Sequence, residues 1–294
     1  MGTLQNHMIN FMKTRGYSDK TIVLYTTCVH VFAFHYHQSP LDINTEQIES
    51  FFLFLRSHNK SESTVHIYYE ALKFFYKIHN INDRLPKFSF KNINHKIPEI
   101  LSQNEVFTLL SNCTSLKYKT IFTLIYSAGL RISEAANLKL SDINFDRKTI
   151  YIRNGKNNKD RYTILANETI ILLRNYFLVY HPISYIFYST EITRRISTDS
   201  IERQFKKLIL SNGINRPIHV HTLRHCFATH LLENGTSIFF IMKLLGHSNI
   251  QTTMIYLHMR ALDQLELVSP IDNYHFSEIS HGTDSQPELF LATA

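Results

Sequence analysis

His221-Thr-Leu-Arg-His-Cys-Phe-Ala-Thr-His-Leu-Leu-Glu-Asn-Gly235 reads as one helix with a glycine after its end. Leu223, Phe227 and Leu231 recur every fourth residue and make an apolar stripe. His221, Arg224, His225 and Ala228 fall on an adjoining face. His221 and Arg224 therefore project together near a helix start, where unpaired backbone N–H groups favour an anion. A histidine pair four residues apart also suits a metal ion. Here the glutamate of the zincin pattern is missing and no carboxylate completes a ligand set, so we expect no metal. His225 and His230 read as core histidines with satisfied hydrogen bonds.

Downstream, Lys243-Leu-Leu-Gly-His-Ser-Asn-Ile-Gln-Thr-Thr-Met-Ile-Tyr256 begins inside another helix. Gly246 closes it, His247 sits in the turn, and Ser248 or Asn249 caps a helix over about 250–258 that presents Tyr256. On periodicity alone Tyr256 is a core aromatic. Upstream, Ser102 and Glu105 form a capping-box pattern before a helix reaching about Cys113. A second helix runs from Leu116 to about Ser127 and stops at Gly129, and a short third follows over Ile132 to Leu138. Thr149–Arg153 and Arg161–Leu165 alternate like strands around the basic tip Asn154-Gly-Lys-Asn-Asn-Lys-Asp160, a β-hairpin. Helices are expected again at about 167–180, 198–212, 221–234 and 237–245.

Residues 1–81 carry four amphipathic helical patterns. Their apolar faces are Leu4, Met8, Ile9, Met12; Ile22, Tyr25, Val29, Phe32, Tyr36; Ile48, Phe51, Phe52, Leu55; and Val65, Tyr68, Leu72, Phe75, Ile78. Ser18, Thr45 and Ser61 stand at their starts. Residues 82–98 then lose all period and hold Arg84, Lys87, Lys91 and Lys96, the composition of a basic tether that could span about 50 Å.

The 294 residues make two domains the default. All 31 Lys and Arg, but only 20 of the 24 Asp and Glu, lie in residues 1–270, a net +11 that suits a polyanion such as nucleic acid. The remaining acids, Asp272, Glu278, Asp284 and Glu288, mark an acidic tail. No apolar run approaches the roughly 20 residues of a membrane span, and the N-terminus lacks the pattern of a secretory signal. Cys28, Cys113 and Cys226 are odd in number and far apart, as free thiols of a reducing compartment are. A cytoplasmic protein is expected.

Five boxes, taken in order, resemble the tyrosine recombinase (phage integrase, Xer-type) family. They are Ala128-Gly-Leu-Arg131-Ile-Ser-Glu134, Gly155-Lys156-Asn-Asn-Lys-Asp-Arg161, His221-Thr-Leu-Arg224, Leu-Leu-Gly-His247 and Thr-Thr-Met-Ile-Tyr256. Asn157 stands where the family's hairpin often has a second glycine, and Lys159 rivals Lys156 for the lysine's role. The resemblance implies a mostly α fold with a small antiparallel β-sheet. An N-terminal helical core-binding (SAM-like) domain would occupy 1–81, a linker 82–99, a catalytic domain 100–270 and an acidic C-terminal tail 271–294, together a C-shaped clamp on DNA.

It further implies site-specific cleavage and rejoining of DNA through a covalent 3′-phosphotyrosine, with Tyr256 as nucleophile and no cofactor. Arg131 and Arg224 would offset the phosphate's charge, since guanidinium stays protonated and can bind two phosphate oxygens. Lys156 would protonate the leaving 5′-oxygen. His221 would act as general base or as a phosphate donor, and His247 as a donor to a non-bridging oxygen. Glu134 would either orient the box or lie on the surface. The implied partner is double-stranded DNA at inverted repeats, bound by dimers and tetramers with possible accessory DNA-bending proteins. Leu262, Leu265 and Leu267 would form either a plug docking on a neighbouring protomer or a helix folding back on its own domain. A catalytically silent DNA-binding regulator on the same fold and a metal-dependent nuclease are the competing readings.

Overall fold

The computed structural model describes residues 2–90, 98–153, 160–247 and 249–257. Lys156, Lys159, Ser248 and the plug leucines lie outside them. The chain divides into two compact units, Met1–Lys96 and Ile97–Ala294.

The first unit is a bundle of α1 (Gly2–Thr14), α2 (Asp19–Tyr36), α3 (Thr45–Ser57) and α4 (Glu62–Ile78). Each later start is set by a side-chain cap. Ser18 accepts the Thr21 N–H and Ser61 the Thr64 N–H, while Asn44 and Gln47 exchange bonds in a capping box. The four apolar faces read from the sequence converge on one core around Met12, Phe32, Ile48, Phe51 and Leu72, all 0% exposed.

The segment after α4 departs from the expected free tether. Asn82–Arg84 makes one 3-10 turn, and Leu85, Phe88 and Phe90 then pack against the bundle. The Phe88 ring lies 4.5 Å from that of Phe52, and the Phe90 ring 5.2 Å from that of Tyr69. In extended chain, residues two apart share a side, so Phe88 and Phe90 can both face the helices. Arg56 pins the segment by donating to Ser89 O while paired with Glu62.

The second unit begins with α5 (Gln103–Ser111), α6 (Leu116–Ala128) and α7 (Ile132–Asn137). An antiparallel sheet in the order β1 (Ile143–Asn144), β2 (Thr149–Ile152), β3 (Arg161–Ile164) follows, with Ile150 opposite Thr163. Then come α8 (Asn167–Tyr180), α9 (Thr198–Ser211), α10 (Val220–Glu233), α11 (Ile238–Leu245) and α12 (Gln251–Met254). β1 is additional to the expected hairpin. α12 is a single turn, and residues 255–257 of the expected helix form a turn instead, residue 258 lying outside the described residues; Asn249 does accept the Gln251 N–H at its start, as a cap residue should.

α6 and α10 form the centre of this unit. α10 buries residues around most of its circumference, including Arg224, Cys226, Ala228 and His230, so its buried surface extends well beyond the single apolar stripe of Leu223, Phe227 and Leu231. His230 is a satisfied core histidine, bonded to Tyr126 Oη at 2.9 Å and Leu101 O at 3.0 Å. Gly129 ends α6 at φ +62°, and a Cβ there would sit 2.5 Å from the Phe227 ring. That glycine lets the chain turn into Arg131 while α10 passes close behind.

Candidate active site

Arg131 stands at the N-cap of α7, where Glu134 reaches back to accept its backbone N–H at 2.7 Å and its guanidinium at 2.8 Å. The same carboxylate receives a two-pronged contact from Arg161 on β3, at 2.7 and 2.8 Å, and lies 3.6 Å from Arg224. Burial would push the Glu134 carboxyl up. The hydrogen bonds and charge of Arg161, the Arg131 N–H and Arg224 outweigh it and hold the group at about 2. Glu134 is thus a buried hub and not the surface glutamate left open by the sequence.

Arg224 is 1% exposed, the largest fully buried side chain among the described residues. Its guanidinium donates to Gly129 O at 2.5 Å and Leu245 O at 2.6 Å, two carbonyls at helix ends, and its Nη2 lies 3.3 Å from His247 Nε2. Burial first, then Arg131, lowers its pKa to about 9, which still leaves it protonated at neutral pH. Helix carbonyls at a C-terminus carry partial negative charge and suit a cation. Arg224 is therefore oriented by backbone it can reach only because α6 ends at Gly129 and α11 at Gly246.

Gly246 is held at φ +65°, and a Cβ on it would lie 2.6 Å from Arg161 Cδ. The turn it makes presents His247, whose Nδ1 lies 2.9 Å from Thr253 Oγ1 on α12. Tyr256 follows, 1% exposed, its ring packed with Phe227, Ala228, Leu232, Ile241 and Leu245. Its hydroxyl lies 3.1 Å from His225 Nδ1. Burial raises the phenol to about 12, with Arg224 and Arg131 pulling the other way. The His221 ring stands edge-on to that of His225, centroids 4.6 Å apart. Burial, then Arg224 and Arg131, lower the pKa of His221.

Five of the six residues singled out in the sequence, Arg131, His221, Arg224, His247 and Tyr256, thus meet around one cluster of guanidiniums; Lys156 lies outside the described residues. Two members were not singled out. Arg161 was read only as the end of the hairpin box. His225 has the satisfied hydrogen bond expected of a core histidine, but its partner is the Tyr256 hydroxyl. No group of three His, Cys, Asp or Glu able to hold a metal occurs among the described residues, and no described helix is long and apolar enough to cross a membrane.

Residues 99–262 match the phage integrase family and residues 4–82 its N-terminal SAM-like domain. The tyrosine recombinase XerA of Pyrococcus horikoshii is 32% identical over 270 residues, covering 89% of this chain and 93% of the relative. A crystal structure of XerA recombinase matches at 30% identity with a TM-score of 0.52, over 90% of this chain and 95% of the other. A lambda integrase dimer bound to a core site shares the fold at 18% identity and a TM-score of 0.71, over 87% and 94% of the two chains. The chain belongs to the phage integrase family. Within it, this is a tyrosine recombinase, a DNA strand-transfer enzyme of mostly helical fold with a small antiparallel sheet.

Proposed function

We propose that this recombinase cleaves and rejoins duplex DNA at inverted-repeat sites with Tyr256 as nucleophile. The observation that carries the assignment is that His247, bonded to Arg224, and Tyr256, within electrostatic reach of Arg224 and Arg131, gather at the Glu134 cluster although they come from α7, α10, the turn after α11 and the turn after α12. A phosphodiester repels an oxygen nucleophile. Arg131 and Arg224 offset that charge and contribute most as it builds in the transition state. Tyr256 attacks phosphorus, the bond to the 5′-oxygen breaks, and Lys156 supplies the proton that the leaving oxygen needs. His221 and His247 donate to non-bridging oxygens. Glu134 holds the guanidiniums in place through its contacts to Arg131, Arg161 and Arg224, so little reorganisation is needed when phosphate arrives. The 5′-hydroxyl of a second strand then attacks the phosphotyrosine and releases Tyr256.

Two protomers on an inverted repeat, paired with two more, supply the four tyrosines that a complete exchange consumes. The helical domain, the basic segment after it and exposed cations on α9 grip phosphates. The protein acts in the cytoplasm, on nucleoid DNA. The test uses a duplex selected from a random library by the full chain carrying Tyr256→Phe, then remade with a nick beside the cleavage point so that the cut strand end diffuses away. The native chain should accumulate a covalent adduct in excess chelator and the Phe variant none, at equal DNA affinity. Adducts formed by the Phe variant would displace Tyr256 from the role; activity that needs added metal would favour a nuclease.

A further inference from the structure

Attack by Tyr256 releases a proton, because burial keeps the phenol protonated at neutral pH. Something must take it. Among the described residues the only side chain hydrogen-bonded to the Tyr256 hydroxyl is His225, whose Nδ1 lies 3.1 Å away. His221, the base offered by the sequence, is one ring further out, perpendicular to His225 with centroids 4.6 Å apart. His221 sits at the exposed start of α10, beside the guanidiniums, where a phosphate oxygen can reach it. His225, one turn on, sits half-buried behind it. Two histidines four residues apart on one helix thus meet different partners: one faces the anion, the other the nucleophile.

We propose that His225, not His221, takes the phenolic proton of Tyr256 as the tyrosine attacks phosphorus. The inference rests on the assignment of Tyr256 as nucleophile. The step balances without a co-reactant. The Tyr256 O–H bond breaks and its proton passes to His225 Nδ1; the phenolic oxygen bonds to phosphorus; the bond to the 5′-oxygen breaks and that oxygen takes a proton from Lys156. Resealing runs the same path backwards, with His225 returning the proton to the departing phenol.

The groups facing His225 support this order of events. Burial, His221 and then Arg224 lower it to about 4, so its neutral form, with a free lone pair on one nitrogen, is the form present at neutral pH. Tyr256 faces it from beyond α12, and Tyr256 in turn feels Arg224 and Arg131. In the resting protein the proton stays on the phenol. As the P–O bond forms, the bridging oxygen loses basicity by many orders of magnitude, so an acceptor of modest basicity becomes sufficient midway through the step. Transfer is then coupled to attack, and a free phenolate, which the nearby arginines would trap, is never made.

The discriminating variant is His225→Asn. Its amide oxygen can stand near the Nδ1 position and accept the phenol's hydrogen bond, but it cannot carry the proton away. Single-turnover adduct formation on the nicked duplex should fall about 10²–10⁴-fold at pH 7. Its rate should rise about tenfold per pH unit between 6 and 8, where the native rate is flat, because the phenol must then ionise to solvent. A role in packing alone leaves the slope unchanged. His221→Asn should lose rate without gaining that slope. A native rate and flat profile for His225→Asn, or the steep profile appearing in His221→Asn instead, overturns the assignment. A native chain that forms no adduct overturns the nucleophile reading as well. A second measurement needs neither DNA nor a folded His225 variant. In ¹⁵N-histidine spectra of the full chain, Tyr256→Phe should shift the His225 Nδ1 resonance towards that of an acceptor with no donor. A resonance that does not move removes the contact on which the proposal stands.

Discussion

Replacing Glu134 by glutamine tests the electrostatic core of the site. The carboxylate takes a two-pronged contact from Arg161, is bonded to Arg131 and neighbours Arg224, with 7% of its own side chain exposed. Being held at about 2 instead of the ordinary 4.5 corresponds to about 3 kcal/mol of stability at neutral pH, at roughly 1.4 kcal/mol per tenfold change in proton affinity. That agrees with the 3–5 kcal/mol or so that follows removal of one partner from a buried ion pair. The folded-state value is depressed, so the stabilisation is fully present above pH 4.5 and is lost as pH falls towards 2. Urea unfolding of the full chain, followed in the Ile97–Ala294 unit, should therefore show Glu134→Gln about 3 kcal/mol less stable at pH 7. The gap should narrow steadily below pH 4.5. A loss under 1 kcal/mol at pH 7, or a gap that stays constant down to pH 2.5, refutes the reading of Glu134 as a buried hub.

Gly246→Ala should cost about 1–3 kcal/mol in the same unfolding assay, since φ +65° strains an alanine and Arg161, pinned by Glu134 and by Leu244 O, cannot retreat from the added methyl; a change within 0.5 kcal/mol or so would show that the arginine does give way. Lys156→Ala should slow cleavage about 10²–10⁴-fold with little loss of binding, and a sulfur at the bridging 5′ position should restore it, because a thiolate leaves without a proton. The same substrate should not rescue Arg131→Ala or Arg224→Ala; rescue of Lys159→Ala with Lys156→Ala unimpaired would move the acid to Lys159. DNA affinity should fall about 10³-fold or more between about 50 and 200 mM salt if six or more phosphates are contacted, measured by anisotropy of a labelled duplex. A shallow slope would remove most of the basic residues from the grip.

Much of the fold was legible where a local rule is strong. Ser18, Ser61 and the Ser102/Glu105 pair cap helices because the signal spans only three residues, and each apolar face in residues 1–81 points inward because one stripe suffices for a helix in a bundle. The rest depended on contacts that no local rule encodes. β1 is two residues long, too short for any period, and exists only by pairing with β2. α12 stops early within a run containing Ile250, Thr252, Thr253 and Ile255, whose branched side chains disfavour helix. In β3 the alternation is inverted: Arg161 and Thr163 face inward while Tyr162 and Ile164 face out. An arginine in the inward register of a strand was a sign of a buried partner, and Glu134 is that partner. His225 already shared a face with His221 and Arg224 in the sequence, but nothing local could tie it to a hydroxyl 31 residues away.

The bond from Thr253 to His247 gives the end of the second unit a mechanical property. Thr253 and Tyr256 belong to one tight turn, in which the Tyr256 N–H donates to Thr253 O at 3.1 Å, and Thr253 holds the imidazole that abuts Arg224. A pull on the phenol would travel through three residues of backbone and one hydroxyl to the Arg224 guanidinium, the proposed phosphate contact. With Tyr256 as the proposed nucleophile, tethering it to a strand end would therefore also load the group that must receive the next strand. In the proposed reaction, ten residues of chain would thus link a protomer's covalent state to its own phosphate seat.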